Sequence, residues 1–324
     1  MDRIDILRSL FDTSGFGLEV GPSYSPLVPK RDGYRVESID HATQAELVAK
    51  YRTHPVDTSR IEPVDHVSDG RPMAEVIGKT AAYDYIVASH VIEHTTDFVG
   101  FLRDCGTLLK PNGRLVLAVP DRRYCFDFFR PVSSPGQIIA AHLQGRERHS
   151  FDILFDNIAL AARRAGEITW SAVDRRPIEF VGDPVAALAA ARGQIDDGAY
   201  HDAHAWTFTP SSFRAIVAML DALGLVRLRI AELRHTGEFE FYAVLTAEAP
   251  TEQEGWRDLL AQRMAEETRI CVDESHGEPS WQAGEIAFDQ AWKARHDAIL
   301  ASRSWRYTAP LRAAGRAVRR VLRK

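Results

Sequence analysis

The stretch from residue 83 to residue 121 constrains the fold most, because a buried strand, a helix and a second buried strand follow each other. Tyr83–Ser89 and Arg114–Val119 are continuous apolar runs of strand length. Between them, apolar residues recur at helical spacing: Phe98, Phe101, Leu102, Cys105, Leu108 and Leu109. We expect Lys110–Gly113 to end this helix. Fully buried strands joined by a helix are typical of a parallel α/β sheet.

Further strands are predicted on both sides of this stretch. Gly17–Gly21 and Tyr34–Asp40 indicate two earlier strands. After a later helix, Leu225–Ala231 and Phe239–Leu245 indicate a final antiparallel strand pair. The sequence therefore predicts an α/β fold with a mostly parallel sheet.

Two segments depart from the alternation of strands and helices. Residues 122–205 have a looser pattern, with helical stretches at Phe151–Ala165 and Pro184–Arg192. We interpret them as a helical insertion after Arg114–Val119, the fifth strand of the sheet, that forms a lid or acceptor region. Residues 248–324 indicate helices, so we predict one domain over residues 1–247 and a helical C-terminal extension.

The charge distribution limits the classes of partner. The chain of 324 residues has a net charge of −5, yet residues 303–324 contain seven Arg, one Lys and no acid. The rest of the chain therefore sums to −13, which argues against a nucleic-acid substrate. The basic amphipathic tail is suited to an anionic membrane surface or to a partner enzyme such as a glycosyltransferase.

Cysteine usage and hydropathy favour an intracellular protein. The three cysteines are widely spaced and form no CxxC motif, which fits a reducing compartment. No apolar run approaches the roughly 18 residues that span a bilayer. We therefore expect a cytoplasmic protein, which its tail can bring to the inner face of the membrane.

Acidic and glycine residues stand where the first two predicted strands end. Glu19 lies near the end of the first strand, and Gly21 follows in a turn where a missing Cβ lets a ligand approach closely. Asp40 ends the second strand about twenty residues later, where a carboxylate accepts the hydroxyls of a ribose. A plain turn and an exposed acid at a strand end are the alternative interpretation.

Five blocks together resemble a class I S-adenosylmethionine-dependent methyltransferase of the type 11-like group. The blocks are Leu18–Gly21, Asp40, Asp65–Gly70, Tyr83–His94 and Leu109–Leu115. The similarity is greatest to the branch associated with bacterial polysaccharide and glycosyltransferase systems. It implies S-adenosylmethionine as cofactor and a Rossmann-like sheet of seven strands. The first loop, Gly-Pro-Ser-Tyr, departs from the glycine-rich GxG of the family and stiffens this turn.

The resemblance also implies cofactor contacts at the ends of successive strands. They are Glu19 and Gly21 at the methionine end, Asp40 at the ribose with His41 beside it, Asp69 and Gly70 at the adenine, and Ser89 and His90 at the fourth strand. Methyl transfer is an in-line displacement, so catalysis can depend largely on alignment and proximity.

His94 and His204 are the candidate general bases for a hydroxyl acceptor. A packing or capping role is the alternative for His204, which lies where the insertion returns to the fold. Residues 90–94 also match the H-x-x-E-H string of zinc proteases, but His90 directly follows a strand, whereas that chemistry needs both histidines on one helix. We expect Glu93 and His94 to open the next helix. No metal site is predicted, because no third ligand accompanies His201 and His204.

Asp121, Arg122, Arg123 and Tyr124 follow the fifth strand at the same edge of the sheet. Their acid, guanidinium and aromatic groups suit a sugar-like or anionic acceptor. The alternative is that this cluster anchors the insertion to the domain.

The sequence therefore favours a methyltransferase that acts on a small molecule or glycan, with a sugar hydroxyl or amine of a surface polysaccharide as the acceptor. One alternative is a non-catalytic partner or scaffold of a glycosyltransferase. The other is an NAD-dependent oxidoreductase, against which the missing G-x-G-x-x-G and the final antiparallel pair argue.

Overall fold

The computed structural model describes residues 2–248 and 256–273, and seven of its strands form one sheet. The strands are β1 (Gly17–Val20), β2 (Val36–Asp40), β3 (His66–Val67), β4 (Tyr83–Ser89), β5 (Leu109–Pro120), β6 (Ala162–Arg164), β7 (Ile178–Phe180), β8 (Arg229–His235) and β9 (Glu240–Thr246). The sheet order is β3-β2-β1-β4-β5-β9-β8, and β9 runs antiparallel to both its neighbours. The predicted seven-stranded, mostly parallel sheet with a final antiparallel pair is confirmed.

Helices connect the strands of this sheet. They are α1 (Arg3–Arg8), α2 (Gln44–Tyr51), α3 (Met73–Ile77), α4 (Phe98–Leu108), α5 (Pro135–Leu143), α6 (Phe151–Ala159), α7 (Pro184–Asp196), α8 (Pro210–Ala222) and α9 (Trp256–Asp273). Within the described part of the chain, none of them has the length and apolar character needed to cross a bilayer.

Successive residues of the central strands are buried on opposite faces of the sheet. Ile86 and Leu117 belong to the larger core cluster, which also contains residues of α4 and α8. Tyr85 and Val116 belong to a second cluster, which contains residues of α1. Because side chains alternate along a strand, both faces of β4 and β5 are covered, which explains their continuous apolar sequence.

The order in which strands are added to the sheet reverses at β1. From β1 the sheet extends through β2 to β3 on one side, and the chain then returns to place β4 on the other side of β1. In open α/β sheets, such a switch point leaves a crevice at the carboxyl ends of the strands, where ligands bind. The ends of β1, β2 and β4 are therefore the place to look for a site.

Several predicted boundaries were wrong. The helix α4 ends at Leu108, before Lys110–Gly113 as predicted, but β5 begins at Leu109 instead of Arg114. The last strand pair begins later, with β8 at Arg229 instead of Leu225. Glu93 and His94 do not open a helix: they lie in a 3₁₀ turn, Ile92–His94, while α4 begins at Phe98 after the cap of Asp97.

The insertion is also less helical than predicted. The helix expected over Phe151–Ala165 ends at Ala159, and β6 follows. A two-stranded antiparallel sheet of β6 and β7 and the helix α5 were not predicted.

The described residues up to Thr268 belong to one compact unit. The predicted domain boundary at residue 247 stays a prediction. The part of the predicted helical extension after residue 273, including the basic tail over residues 303–324, lies outside the described residues.

Gly17 at the start of β1 tests how closely the sheet is packed. A Cβ there would lie 2.1 Å from ring atoms of Tyr85, whereas a Cβ on Gly193 in α7 would meet no atom within 4 Å. Gly17→Ala should destabilise the protein by about 1–3 kcal/mol through overpacking. Gly193→Ala should be neutral or slightly stabilising. Thermal unfolding of both variants checks this, and equal melting temperatures would contradict the packing.

Candidate functional site

The carboxyl ends of β1 and β4 are shaped by left-handed backbone conformations. Gly21 has φ 65°, and two residues with side chains, Ser23 and His90, have φ 46° and 54°. Non-glycine residues rarely adopt this region, and such residues cluster at functional sites. The Gly21 N–H donates to the Ile39 carbonyl at 2.8 Å, and a Cβ on Gly21 would lie 3.1 Å from Val91. The chain therefore turns sharply where β1 and β4 end.

Glu19 holds the loop that follows β1. Its side chain is buried, and its two carboxylate oxygens accept the N–H groups of Leu27 and Val28 at 2.6 and 3.1 Å. Burial raises the pKa of Glu19 to about 7, although these two hydrogen bonds oppose the shift. Glu19 therefore anchors residues 21–28, a contact that its place in the sequence does not reveal.

Asp40 joins the same loop to the end of β2. Its buried carboxylate accepts the Ser23 N–H at 3.0 Å and the His41 N–H at 2.7 Å. The His41 ring lies 2.7 Å from the same carboxylate, and its side chain is half exposed. An ionised carboxylate offers about four acceptor positions, so Asp40 retains capacity for a ligand hydroxyl.

Asp69 and Gly70 lie in an exposed loop after β3. The Ser68 N–H donates to the Asp40 carbonyl at 2.8 Å, which brings this loop beside the end of β2. Asp69 forms a 2.7 Å ion pair with Arg71. Gly70 has φ 90° and open space around it.

Arg3, Glu240 and His90 form a chain of charges across the sheet edge. Arg3 binds Glu240 with two hydrogen bonds of 2.7 and 2.8 Å and also donates to the Ser89 hydroxyl at 2.7 Å. His90 Nε2 lies 2.9 Å from Glu240, and the Tyr242 hydroxyl donates to Glu240 at 2.8 Å. Ser89 and His90, both predicted cofactor contacts, are thus held by residues from α1 and β9.

These contacts keep the two central groups charged. Burial opposes ionisation of Glu240, but the hydrogen bonds of His90 and Arg3 outweigh it and lower its pKa to about 2. Burial likewise lowers the pKa of His90, yet the adjacent Glu240 and Glu93 raise it to about 9. At neutral pH the site therefore contains a carboxylate and an imidazolium in contact.

Glu93, His94 and His204 meet beside this charge chain. Glu93 is fully buried, and its Oε1 lies 3.3 Å from His90 Nδ1 and 3.8 Å from His94 Nε2. The rings of His94 and His204 are 4.6 Å apart and nearly perpendicular. The structure thus brings together the two histidines predicted as catalytic, although they are far apart in the chain.

Each of these histidines is oriented by a carboxylate. His94 Nδ1 lies 2.8 Å from Asp202, and His204 Nδ1 lies 2.5 Å from Asp127. Asp127 also pairs with Arg130 at 2.6 Å, and the His204 ring packs on Phe126. A histidine that donates from Nδ1 presents Nε2 as its lone-pair nitrogen.

The segment that returns from the insertion is pinned to the turn after β4. The N–H groups of Ala205 and Trp206 both donate to the Glu93 carbonyl, at 2.7 and 3.1 Å. The Trp206 indole donates to the Thr95 carbonyl at 2.7 Å. These bonds fix His204 relative to the turn that contains His94.

The four predicted acceptor residues have mostly internal partners. Arg123 binds Asp121 at 2.8 Å and Glu266 at 2.9 Å, and its guanidinium lies over the Tyr124 ring. Arg122 donates to the carbonyls of residues 128 and 130. These contacts favour the alternative interpretation, in which the cluster anchors the insertion.

Sequence reasoning missed four residues that organise the site: Arg3, Asp127, Asp202 and Glu240. Asp127 lies three positions after the predicted acceptor cluster 121–124, and Asp202 lies between His201 and His204. Arg3 and Glu240 carry no local signal, because their pairing joins residues 237 positions apart.

The profile of a family described as "Methyltransferase domain" matches residues 12–218, which is more than half of the chain. Among curated proteins, the chain is 32% identical over 95 residues to a ubiquinone biosynthesis O-methyltransferase of Methylocella silvestris, covering 28% of the chain and 34% of that protein. It is 35% identical over 94 residues to the enzyme of the same name from Rhodopseudomonas palustris, covering 29% and 34%. The chain thus spans about a third of the length of these relatives.

Among solved structures, the chain is similar to the CcbJ methyltransferase of Streptomyces caelestis, with a TM-score of 0.38, 11% identity and coverage of 75% and 87%. It is also similar to the 1,6-didemethyltoxoflavin-N1-methyltransferase of Burkholderia thailandensis, with a TM-score of 0.37, 12% identity and coverage of 75% of each chain.

The charge chain predicts how stability depends on pH. The pKa of Glu240 is about 2 in the folded protein, against 4.5 for a glutamate free of such contacts. Its stabilising effect is therefore present above pH 4.5 and is lost as the pH falls toward 2. Glu240→Gln should lower the free energy of unfolding at neutral pH by about 3 kcal/mol. It should also make this free energy depend less on pH between 4.5 and about 2.

Glu232→Gln is the matched control, because Glu232 lies on the neighbouring β8 in an exposed pair with Arg234. Its stability should stay within about 0.5 kcal/mol of the wild type. Urea unfolding at several pH values measures both variants. The same dependence of the free energy of unfolding on acidic pH in wild type and Glu240→Gln would refute the charge chain.

Proposed function

This chain belongs to the methyltransferase-domain family of class I S-adenosylmethionine-dependent enzymes, and we propose that it transfers the methyl group of S-adenosylmethionine to a hydroxyl of a small-molecule or glycan acceptor. The observation that carries the proposal is the crevice at the carboxyl ends of β1, β2 and β4, which the paired histidines His94 and His204 border.

The proposed cofactor site follows the strand ends. Gly21 offers a backbone without a Cβ to the methionine end, while Glu19 acts indirectly by holding the loop 21–28. Asp40 accepts the ribose hydroxyls. The half-exposed His41 ring, which contacts this carboxylate, moves aside for the ribose. These assignments are supported by the buried carboxylate of Asp40 at the end of β2.

The other cofactor residues complete the crevice. Asp69 and Gly70 border the adenine from the exposed loop after β3, and Ser89 and His90 form the wall at the end of β4. The fixed charges of Glu240 and His90 keep that wall rigid, which suits a reaction that depends on alignment.

His94 and His204 activate the acceptor hydroxyl. Both side chains are partly or largely buried, and both rings are oriented by carboxylates. Residues 122–205 supply the surface over the acceptor, because this insertion returns to the sheet at His204. That surface is held in place by the cluster after β5, which consists of Asp121, Arg122, Arg123 and Tyr124.

The names of the matched relatives favour oxygen as the methylated atom, since both are O-methyltransferases. A sugar hydroxyl of a surface polysaccharide is the specific acceptor that the sequence resemblance suggests. Contact of residues 303–324 with a membrane or glycosyltransferase, and the cytoplasmic location, remain predictions from charge and hydropathy.

Asp40→Ala tests the cofactor site. Removing the carboxylate should weaken S-adenosylhomocysteine binding by about 1–3 kcal/mol, because ribose hydroxyls lose a charged acceptor. Asp32→Ala removes an exposed acid from a nearby turn and should leave the affinity unchanged. Isothermal titration calorimetry compares the two, and an unaltered affinity in Asp40→Ala would exclude Asp40 from the site.

His204→Gln tests the catalytic role. The variant should reduce kcat about 10²–10⁴-fold, as expected for loss of the group that activates the hydroxyl, without changing the affinity for S-adenosylhomocysteine. His201→Gln is the control, since His201 lies three residues earlier and pairs with Asp197 outside the cluster.

The assay follows transfer of the labelled methyl group of S-adenosylmethionine to glycan and phenolic fractions of a cell lysate. Label should appear in a fraction that bears hydroxyl groups, and His204→Gln should abolish it. Binding of S-adenosylhomocysteine with no transfer to any fraction would contradict the proposed reaction and favour a scaffold.

A further inference from the structure

Three side chains bring possible metal-ligand atoms close together. Glu93, His94 and His204 each offer one ligand atom, and these atoms lie within 4.8 Å of one another. Two come from the turn after β4 and one from the segment that returns from the insertion. The backbone bonds of Ala205 and Trp206 to the Glu93 carbonyl hold the two segments together, so the cluster is built by the fold.

Both histidines are prepared for binding through Nε2. Asp202 is hydrogen-bonded to His94 Nδ1 at 2.8 Å, and Asp127 is hydrogen-bonded to His204 Nδ1 at 2.5 Å. Histidines that bind metal ions usually donate their other N–H to a carboxylate, which fixes the tautomer and the ring orientation. Two carboxylate–histidine pairs that converge on one point are hard to explain as packing alone.

Glu93 supplies an independent observation. Its side chain is 0% exposed, and neither carboxylate oxygen has a hydrogen-bond partner among the described residues. His90 Nδ1 lies 3.3 Å from Glu93 Oε1, which is an ion-pair contact without hydrogen-bond geometry. Burying a carboxylate without hydrogen bonds is costly, and a cation between Glu93 and the two Nε2 atoms would reduce that cost.

We propose that Glu93, His94 and His204 bind a divalent transition-metal ion, with Zn²⁺ as the reference ion. Two imidazoles and one carboxylate form a donor set that suits Zn²⁺, Fe²⁺ or Mn²⁺ and leaves coordination positions open. Bonds of about 2 Å require ligand atoms about 3–3.5 Å apart, so the side chains close inward by about 1 Å on binding.

This inference rests on the proposed methyl transfer and specifies how the hydroxyl is activated. The open position accepts the acceptor oxygen, and the cation lowers the pKa of the hydroxyl. The hydroxyl proton passes to water, the oxygen forms a bond to the methyl carbon, and the carbon–sulfur bond breaks. Sulfur keeps the electron pair and leaves as the neutral thioether of S-adenosylhomocysteine, so the metal changes no oxidation state.

The inference also revises two expectations from the sequence. The third ligand that was missing beside His201 and His204 is Glu93, and the second histidine of the site is His94. His94 and His204 then act as ligands instead of proton acceptors. His90 is not a ligand, because both of its ring nitrogens face carboxylates: Nε2 is 2.9 Å from Glu240 and Nδ1 is 3.3 Å from Glu93. The proposed site therefore does not use the two histidines of the zinc-protease string together.

Metal content of the full chain tests the proposal directly. The protein is stripped with a chelator, dialysed against Zn²⁺ and analysed by mass spectrometry of the metal. We expect about one Zn²⁺ per chain in the wild type and in His201→Gln. Glu93→Gln, His94→Gln and His204→Gln should each lose most of it. Asp127→Asn and Asp202→Asn should weaken Zn²⁺ binding about 10–100-fold, because they remove the groups that orient the ligands.

Calorimetry with S-adenosylhomocysteine separates this inference from the proposed function. The ligand variants should retain cofactor binding, which also shows that they are folded. A wild type that binds S-adenosylhomocysteine but no Zn²⁺, Mn²⁺ or Fe²⁺ would overturn the metal site and leave the methyltransferase proposal standing. Equal Zn²⁺ content in His204→Gln and His201→Gln would overturn it as well. Zn²⁺ binding without cofactor binding would instead refute the proposed function.

Discussion

The site depends on a chain of alternating charges at the carboxyl edge of the sheet. Arg3 from α1, Glu240 from β9 and His90 from the end of β4 are joined by hydrogen bonds of 2.7–2.9 Å. Glu240 is buried, so removing one of its partners leaves a desolvated carboxylate with fewer charged contacts, which is destabilising. His90, the member of this chain at the end of β4, has φ 54°, and the turn that contains Glu93 follows it directly.

The second constraint is the return of the insertion to that turn. Ala205 and Trp206 bind the Glu93 carbonyl, which places His204 next to His94 and brings Asp127 and Asp202 behind the two rings. The cofactor crevice and the histidine cluster therefore share one structural element, residues 89–95. In the proposed function, this shared element brings a cofactor at the strand ends close to an acceptor beside His94 and His204.

Local sequence patterns predicted the elements that depend on local physics. The buried strand Tyr83–Ser89 and the apolar face of α4 follow from periodicity and burial, and both were found. The sequence did not predict the start of β8 or the β6–β7 pair, because tertiary pairing overrides short, weak patterns.

The candidate site was predictable only in part. Asp40 and Gly21 stand at strand ends, where a parallel sheet places its ligands, and this could be read from spacing. The partners of the histidines could not, since His204 and Asp127 are 77 residues apart and Arg3 and Glu240 are 237 apart. Side-chain pairs at such separations follow from topology, and no local signal encodes them.

The most direct test of the central claim is calorimetric titration of the full chain with S-adenosylhomocysteine and, separately, with NAD⁺. Both ligands carry an adenosine that an acid at the end of β2 can bind, so the comparison asks which cofactor the crevice fits. We predict stoichiometric binding of S-adenosylhomocysteine and no measurable binding of NAD⁺. Binding of NAD⁺ without S-adenosylhomocysteine would contradict the assignment of the site.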